Sequence, residues 1–198
     1  MRVLVACEFS GIVRDAFRAA GNHAISCDLL PSDAAGSHYQ GDVRDVLLDG
    51  WDLMIAHPPC TYLSSSGLHW NSRVPGRQEK TDASLEFVRL LMAAPIKHIC
   101  IENPVGCIGT KIRKADQIIQ PYQFGADASK QTALWLKNLS PLRPTRFVEP
   151  RMVNGKPRWS NQTDSGQNKL GPSPTRAADR AKTYPGIAAA MADQWGKL

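Results

Sequence analysis

Residues 2–21 read RVLVACEFSGIVRDAFRAAG. The apolar run Arg2–Ala6 predicts a buried strand, and the apolar spacing from Val13 to Ala20, closed by Gly21, predicts a helix. Between them the turn CEFSG sets backbone N–H groups around Phe9, Ser10 and Gly11 at the carboxyl end of the strand, where Gly11 permits a close approach. A strand that runs straight into a helix is a βα unit, and its repetition builds a parallel sheet. Working outward, further strands are predicted at His23–Cys27, Trp51–Ala56, His98–Ile101 and Ala133–Leu136, with a helix over Ala83–Ala94 carrying Leu85, Val88, Leu91 and Met92. These elements predict an α/β fold with a doubly wound, mostly parallel sheet that binds ligands at the carboxyl ends of its strands.

A chain of 198 residues with 42% hydrophobic content can bury one substantial core. From Pro141 to Lys182 the composition turns to Pro, Arg, Ser, Asn and Gln, with nine Lys/Arg against three Asp/Glu, which predicts loop or extension rather than core. A final helix is predicted from Pro185 to Trp195. The expected organisation is therefore a main unit over 1–140, a basic, loop-rich extension over 141–182 and a terminal helix in 183–198 that packs back. No internal repeat is evident.

Five cysteines without a CxxC pair give neither a disulfide framework nor a zinc knuckle, so no metal site is expected and a reducing compartment is. The first residues run straight into a strand-like VLVA, and no apolar run approaches the ~20 residues of a membrane span. A soluble, cytoplasmic protein is expected. The net charge of +6 is uneven: residues 1–60 hold four Lys/Arg against eight Asp/Glu, and residues 61–198 hold twenty against ten. The later two-thirds is the better surface for a polyanion. A merely solvated basic face is an equal reading of charge alone.

Three constellations carry chemistry. Asp28 ends the second strand and Asp42, in QGDV, ends a weaker strand candidate. Either alone reads as a cap or a solvated turn, but their succession at strand ends points to a nucleoside-bearing cofactor. The second constellation is IAHPPCTYLSSSG, residues 55–67, in which two prolines make a rigid turn that presents the Cys60 thiol at the sheet edge. The third is CIENPVG, residues 100–106, which delivers Glu102 directly after an apolar run, where a carboxylate needs a partner or a task.

The ordered motifs FSG, PPC and ENP resemble those of DNA cytosine-C5 methyltransferases over roughly residues 1–137 and the last helix. The resemblance implies a Rossmann-like, class I methyltransferase fold, S-adenosylmethionine as cofactor and a cytosine flipped out of DNA as substrate. It implies that Phe9, Ser10, Gly11 and Pro58 line the cofactor pocket, that Asp28 holds the ribose and that Asp42 holds the adenine. Cys60 matches the nucleophile that adds to C6, and Glu102 the group that engages N3 and the exocyclic amine, with Asn103 and Pro104 beside the base. The family's glutamine–arginine–arginine motif is replaced by SKQTALWL, which leaves Lys130 and Thr132 in the places of the two arginines. After PPC this chain has Thr61, Tyr62, Leu63 and Ser64 where the family usually has Gln and an aromatic–Ser pair.

There is no room for a separate target-recognition domain, so DNA contacts are expected from the basic stretch, with Arg143 and Arg146 among them. Small forms of this kind resemble phage and prophage proteins. Two other readings stay open at this point: a C5 transfer, methyl or hydroxymethyl, onto a free or single-stranded pyrimidine nucleotide, and a silent protein that binds DNA or cofactor. Protein partners are not specified by the sequence.

Overall fold

The computed structural model describes residues 1–198, apart from the side chain of Ala177. Seven strands, β1 (Arg2–Ala6), β2 (His23–Asp28), β3 (His38–Gln40), β4 (Leu53–Ala56), β5 (His98–Pro104), β6 (Gln117–Ile119) and β7 (Thr132–Lys137), form one sheet in the order β3-β2-β1-β4-β5-β7-β6. β1 to β5 run parallel, and β7 runs antiparallel to both of its neighbours. The chain winds outward from β1 through β2 to β3, then returns to the centre at β4 and winds the other way. The strand order therefore reverses between β1 and β4, and a crevice opens there at the carboxyl ends.

Because successive strand residues face opposite ways, each strand feeds two cores. On one face Val3, Val5, Leu53, Ile55 and Leu134 meet Val13 and Phe17 of α1 (Ile12–Ala19) and Ile187 and Met191 of the last helix (Pro185–Trp195). On the other face Leu4, Ala6, Met54, Ile99 and Ile101 meet Leu85, Val88 and Leu91 of the long helix Arg77–Ala93. Each such side chain contributes about 1.5–3 kcal/mol on burial. Numbered in chain order, the remaining short helices make this series α2 (Ser65–Leu68), α3 (Arg77–Ala93), α4 (Ile108–Lys111), α5 (Arg176–Ala181) and α6 (Pro185–Trp195). No helix is long and apolar enough to cross a membrane.

Several boundaries differ from those read in the sequence. α3 begins at Arg77 rather than Ala83, because its first turns, RQEKTD, are polar and leave no apolar period to detect. β3 and β6 have three residues each, too short to show alternation. Asp42 lies two residues beyond β3 and caps the 3-10 turn Val43–Asp45, where its side chain accepts from Arg44 N. The stretch read as loop without core holds a hairpin, β8 (Arg151–Val153) with β9 (Lys156–Arg158), and gives two side chains to the interior. Leu142 is buried, and the ring of Trp159 stacks on Tyr122 at 4.2 Å between centroids.

Arg14 of α1 is wholly buried and holds the segment between β2 and β3 in place. Its guanidinium donates to Asp15 at 2.7 Å, to Ser26 and Ser32 at 3.2 Å each and to the Ala35 carbonyl at 2.9 Å. That segment closes over the carboxyl end of β2, where Asp28 sits.

Candidate active site

β4 and β5 are parallel neighbours in a register that pairs Ala56 with Ile101. The next residue on each strand is therefore His57 beside Glu102, and His57 Nδ1 lies 3.2 Å from a Glu102 carboxylate oxygen. From this level β4 gives way to Pro58, Pro59 and Cys60, while β5 runs on to Asn103 and Pro104. The two segments are stitched together. Asn103 Nδ2 donates to the Pro58 carbonyl at 2.7 Å, Cys107 N donates to Leu63 O at 2.9 Å, and Ser65 N donates to Val105 O at 3.2 Å. Gly106 makes this approach possible, since a Cβ there would overlap the Leu63 carbonyl.

A pocket of about 80 Å³ lies at the seam and is lined by Cys60, Glu102, Asn103, Pro104 and Lys130, with Phe9, Ser10 and Pro58 on its other wall. The structure thus brings together eight of the residues singled out in the sequence. His57, Glu8, Cys7, Arg180 and Lys182 also line it and were not singled out. His57 carried the same signal as Glu102, an ionisable group directly after a buried apolar strand, and Arg180 lies in a segment without periodicity.

Burial pushes the Cys60 thiol above its ordinary value, against Lys130, which favours the thiolate; Glu102 adds to the rise and Arg180 opposes it. Burial thus favours the Cys60 thiol, while the two cations favour its ionisation. Burial also works to raise Glu102, but the hydrogen bond and charge of His57, with Lys130 and Thr132, outweigh it and hold the carboxyl below its usual value. Lys130 is anchored by donating from Nζ to the Arg180 carbonyl at 2.8 Å, and Thr132 Oγ1 donates to the Lys130 carbonyl at 3.2 Å. Cys100 and Cys107 are buried in the cores, where burial raises both thiols.

A second cleft, of about 250 Å³, adjoins the pocket through Cys7, which lines both. It contains Asp28 and Asp42, with Leu29, Val43, Pro59 and Phe87 as apolar walls. Asp28 accepts from Leu30 N at 2.9 Å through one carboxylate oxygen. Asp42 is paired with Arg44 at 2.8 Å, and hydrogen bonds from Arg44 hold it below its usual value. Gly11 takes φ 73° as the residue that opens α1, a conformation suited to glycine. The first amides of α1 are not left open: Glu8 accepts from Val13 N at 2.7 Å and from Arg14 N at 3.2 Å, and Ser10 Oγ donates to Glu8 at 3.1 Å. Phe9 and Ser10 therefore reach the pocket as lining, while the helix end is satisfied by the protein's own carboxylate.

Beyond the pocket a groove of about 790 Å³ shares Pro104, Lys130, Arg180 and Lys182 with it and continues past Ser64, Asn161 and Lys169. Arg143 and Arg146 are not brought to this groove. The Arg143 backbone exchanges hydrogen bonds with Gln194 of α6, and that of Arg146 pairs with Gln123 and Gly125. Among the described residues no group of three or more His, Cys, Asp or Glu side chains could hold a metal ion.

A doubly wound sheet in the order β3-β2-β1-β4-β5-β7-β6, with β7 reversed, decides the fold class. The fold is Rossmann-like, with the strand order of the class I methyltransferase fold. No family profile matches the chain, and no curated protein matches it. Among solved structures, the chain is similar to an E. coli prophage protein assigned as a DNA modification methyltransferase, at 15% identity and TM-score 0.47 over 78% of this chain and 53% of that one. It is similar to S. pombe Dnmt2 methyltransferase at 19% identity and TM-score 0.44, over 71% and 50% of the two chains. It is also similar to the Entamoeba histolytica methyltransferase EhMeth at 17% identity and TM-score 0.47, over 75% and 58%. The chain spans about half the length of these structures.

Proposed function

We propose that this chain is a DNA cytosine-C5 methyltransferase that uses S-adenosylmethionine and acts through a covalent bond between Cys60 and C6 of the base. The observation that carries this reading is the convergence of Cys60 and Glu102 on one pocket from two neighbouring strand ends joined by the Asn103–Pro58 bond.

The residues present fit the cofactor. The cleft beside the pocket offers apolar walls from Leu29, Val43 and Phe87 for a purine, and the Asp28 carboxylate, only one oxygen of which is used within the protein, for a ribose diol. When bound, the cofactor supplies an electrophilic methyl group.

C5 of cytosine is too poor a nucleophile to take a methyl group unaided. Attack of the Cys60 thiolate on C6 forms the S–C6 bond and moves electron density to C5 and N3, which turns the ring into an enamine. Lys130 and Arg180 favour the thiolate that this step consumes. Glu102 meets the N3 edge and compensates the charge that develops there. Glu102 also meets the exocyclic amine, and Asn103, whose Oδ1 is buried without a partner among the described residues, follows it on the strand. Loss of the C5 proton to water then restores the ring and expels the thiolate.

DNA is the substrate of choice because the pocket opens into a broad groove with four cations, Lys130, Lys169, Arg180 and Lys182, suited to a phosphate chain. In this reading residues 1–140 carry the chemistry and 141–182 line the nucleic acid through Lys169 and Arg180, while 183–198 close the core. The five free cysteines accord with a cytoplasmic setting.

The test is covalent trapping on DNA containing 5-fluorocytosine. With S-adenosylmethionine the wild type should form an adduct that survives denaturation, and Cys60→Ser should not. An adduct formed with a 5-fluorinated mononucleotide and not with DNA would shift the reading to a free-nucleotide enzyme. Binding of DNA without any adduct would make the protein a silent binder.

A further inference from the structure

Glu102 has a contradictory task in the chemistry above: N3 must gain a proton as the thiolate adds, yet against the burial that raises the carboxyl, the neighbouring His57, Lys130 and Thr132 favour its charged form. The source of that proton lies next to it. His57 follows the last residue of β4, is 8% exposed at its side chain, and points Nδ1 at Glu102 across 3.2 Å. Its other nitrogen, Nε2, is buried and has no partner among the described residues.

Resting on the methyltransferase reading, we infer that His57 and Glu102 form a proton-sharing pair in which His57 positions the carboxylate and supplies the proton that Glu102 passes to N3. The balance is simple. As the S–C6 bond forms, the electron pair displaced from the ring settles on N3, Nδ1 of the imidazolium gives its proton to the Glu102 carboxylate, and Glu102 passes that proton on to N3. When C5 loses its proton to water and the S–C6 bond breaks, N3 returns its proton along the same path and the pair is restored. No co-reactant beyond substrate and methyl donor is needed.

The groups that face the pair from the surrounding elements are Cys60 on its turn, Lys130 ahead of β7, Arg180 and Lys182 at α5, and Cys7 and Glu8 beyond β1. His57 is thus a positioning residue that acts through Glu102.

The variant to make is His57→Asn, whose amide can still donate to Glu102 but cannot hold a mobile proton. Steady-state rates on DNA, measured against pH with wild type alongside, should show kcat lower by about 10²-fold, in line with general acid catalysis. KM for DNA and cofactor should stay within about twofold, and the fall of kcat at high pH should move. A kcat within twofold of wild type, with an unmoved high-pH limb, would overturn the inference and leave the methyltransferase reading standing. A wild type that forms no adduct removes both. If His57→Asn fails to fold, NMR of the wild type decides: a protected, downfield His57 Nδ1–H signal that Glu102→Gln displaces supports the pair, and a signal indifferent to that change overturns it.

Discussion

Asn103 Nδ2 donates to the Pro58 carbonyl at 2.7 Å, so the turn that presents Cys60 is bonded directly to the strand that presents Glu102. Asn103 is 1% exposed, and the bond has no water to replace it. Removing it leaves a buried carbonyl unsatisfied, which costs about 1–3 kcal/mol. Asn103→Ala should therefore unfold earlier by that amount in a denaturant titration. Turnover should fall further than stability explains, by about 10²-fold, because a shift of an ångström between reacting groups costs that much. On the proposed reading the cleft of Asp28 holds much of the cofactor, so cofactor affinity should change less than turnover does.

The Cys60 thiol is raised by burial and assisted by Lys130 and Arg180. Its alkylation by iodoacetamide should speed up with rising pH, with a midpoint above that of an ordinary cysteine, because only the thiolate reacts. A cation stabilises the thiolate, so its removal raises the midpoint. Lys130→Ala and Arg180→Ala should each slow alkylation at a fixed neutral pH. A rate unaffected by both changes would show that the two cations do not serve the nucleophile.

Phosphate contacts make affinity fall with salt in proportion to the number of charges neutralised. Lys169 and Arg180 border the groove, whereas Arg143 and Arg146 are held elsewhere by Gln194 and by Gln123 with Gly125. Replacing Lys169 and Arg180 with alanine should weaken DNA binding and flatten the log–log salt slope by about one unit per lost contact. Replacing Arg143 and Arg146 should leave the slope as it is. Fluorescence anisotropy over a salt series reads both.

Asp28 offers the second cleft an oxygen that the protein does not use itself. Asp28→Asn should weaken S-adenosylmethionine binding by about tenfold, the loss of one charge-assisted hydrogen bond. The melting curve should barely move, since an amide oxygen can still accept from Leu30 N. Isothermal titration calorimetry on the folded variant provides the comparison.

The central strands were legible because β1, β4 and β5 are unbroken apolar runs, and a buried parallel sheet demands such runs. Cys60 and Glu102 were legible for the opposite reason, as chemistry-bearing side chains placed directly after those runs. His57 satisfied the same rule and went unread beside the stronger signal of PPC. Arg180 and Lys182 could not be read, since their arrival at the pocket depends on the path of residues 141–182, which show no period. Arg143 and Arg146 do not line the groove, and composition, which marks a segment as basic, does not say which of its residues reach it. Glu8 shows a subtler limit. Its place near a helix start was plain, but that it would cap the helix itself follows only from the left-handed turn at Gly11.

The close approach at Gly106, where backbone meets backbone with no side chain between, joins the turn that carries Cys60 to the strand that carries Glu102 through the main chain itself. On the proposed reading, selectivity falls to the far rim of the groove, where Asn161 and Lys169 lie outside that seam, so the target can be altered there without touching the turn that holds Cys60.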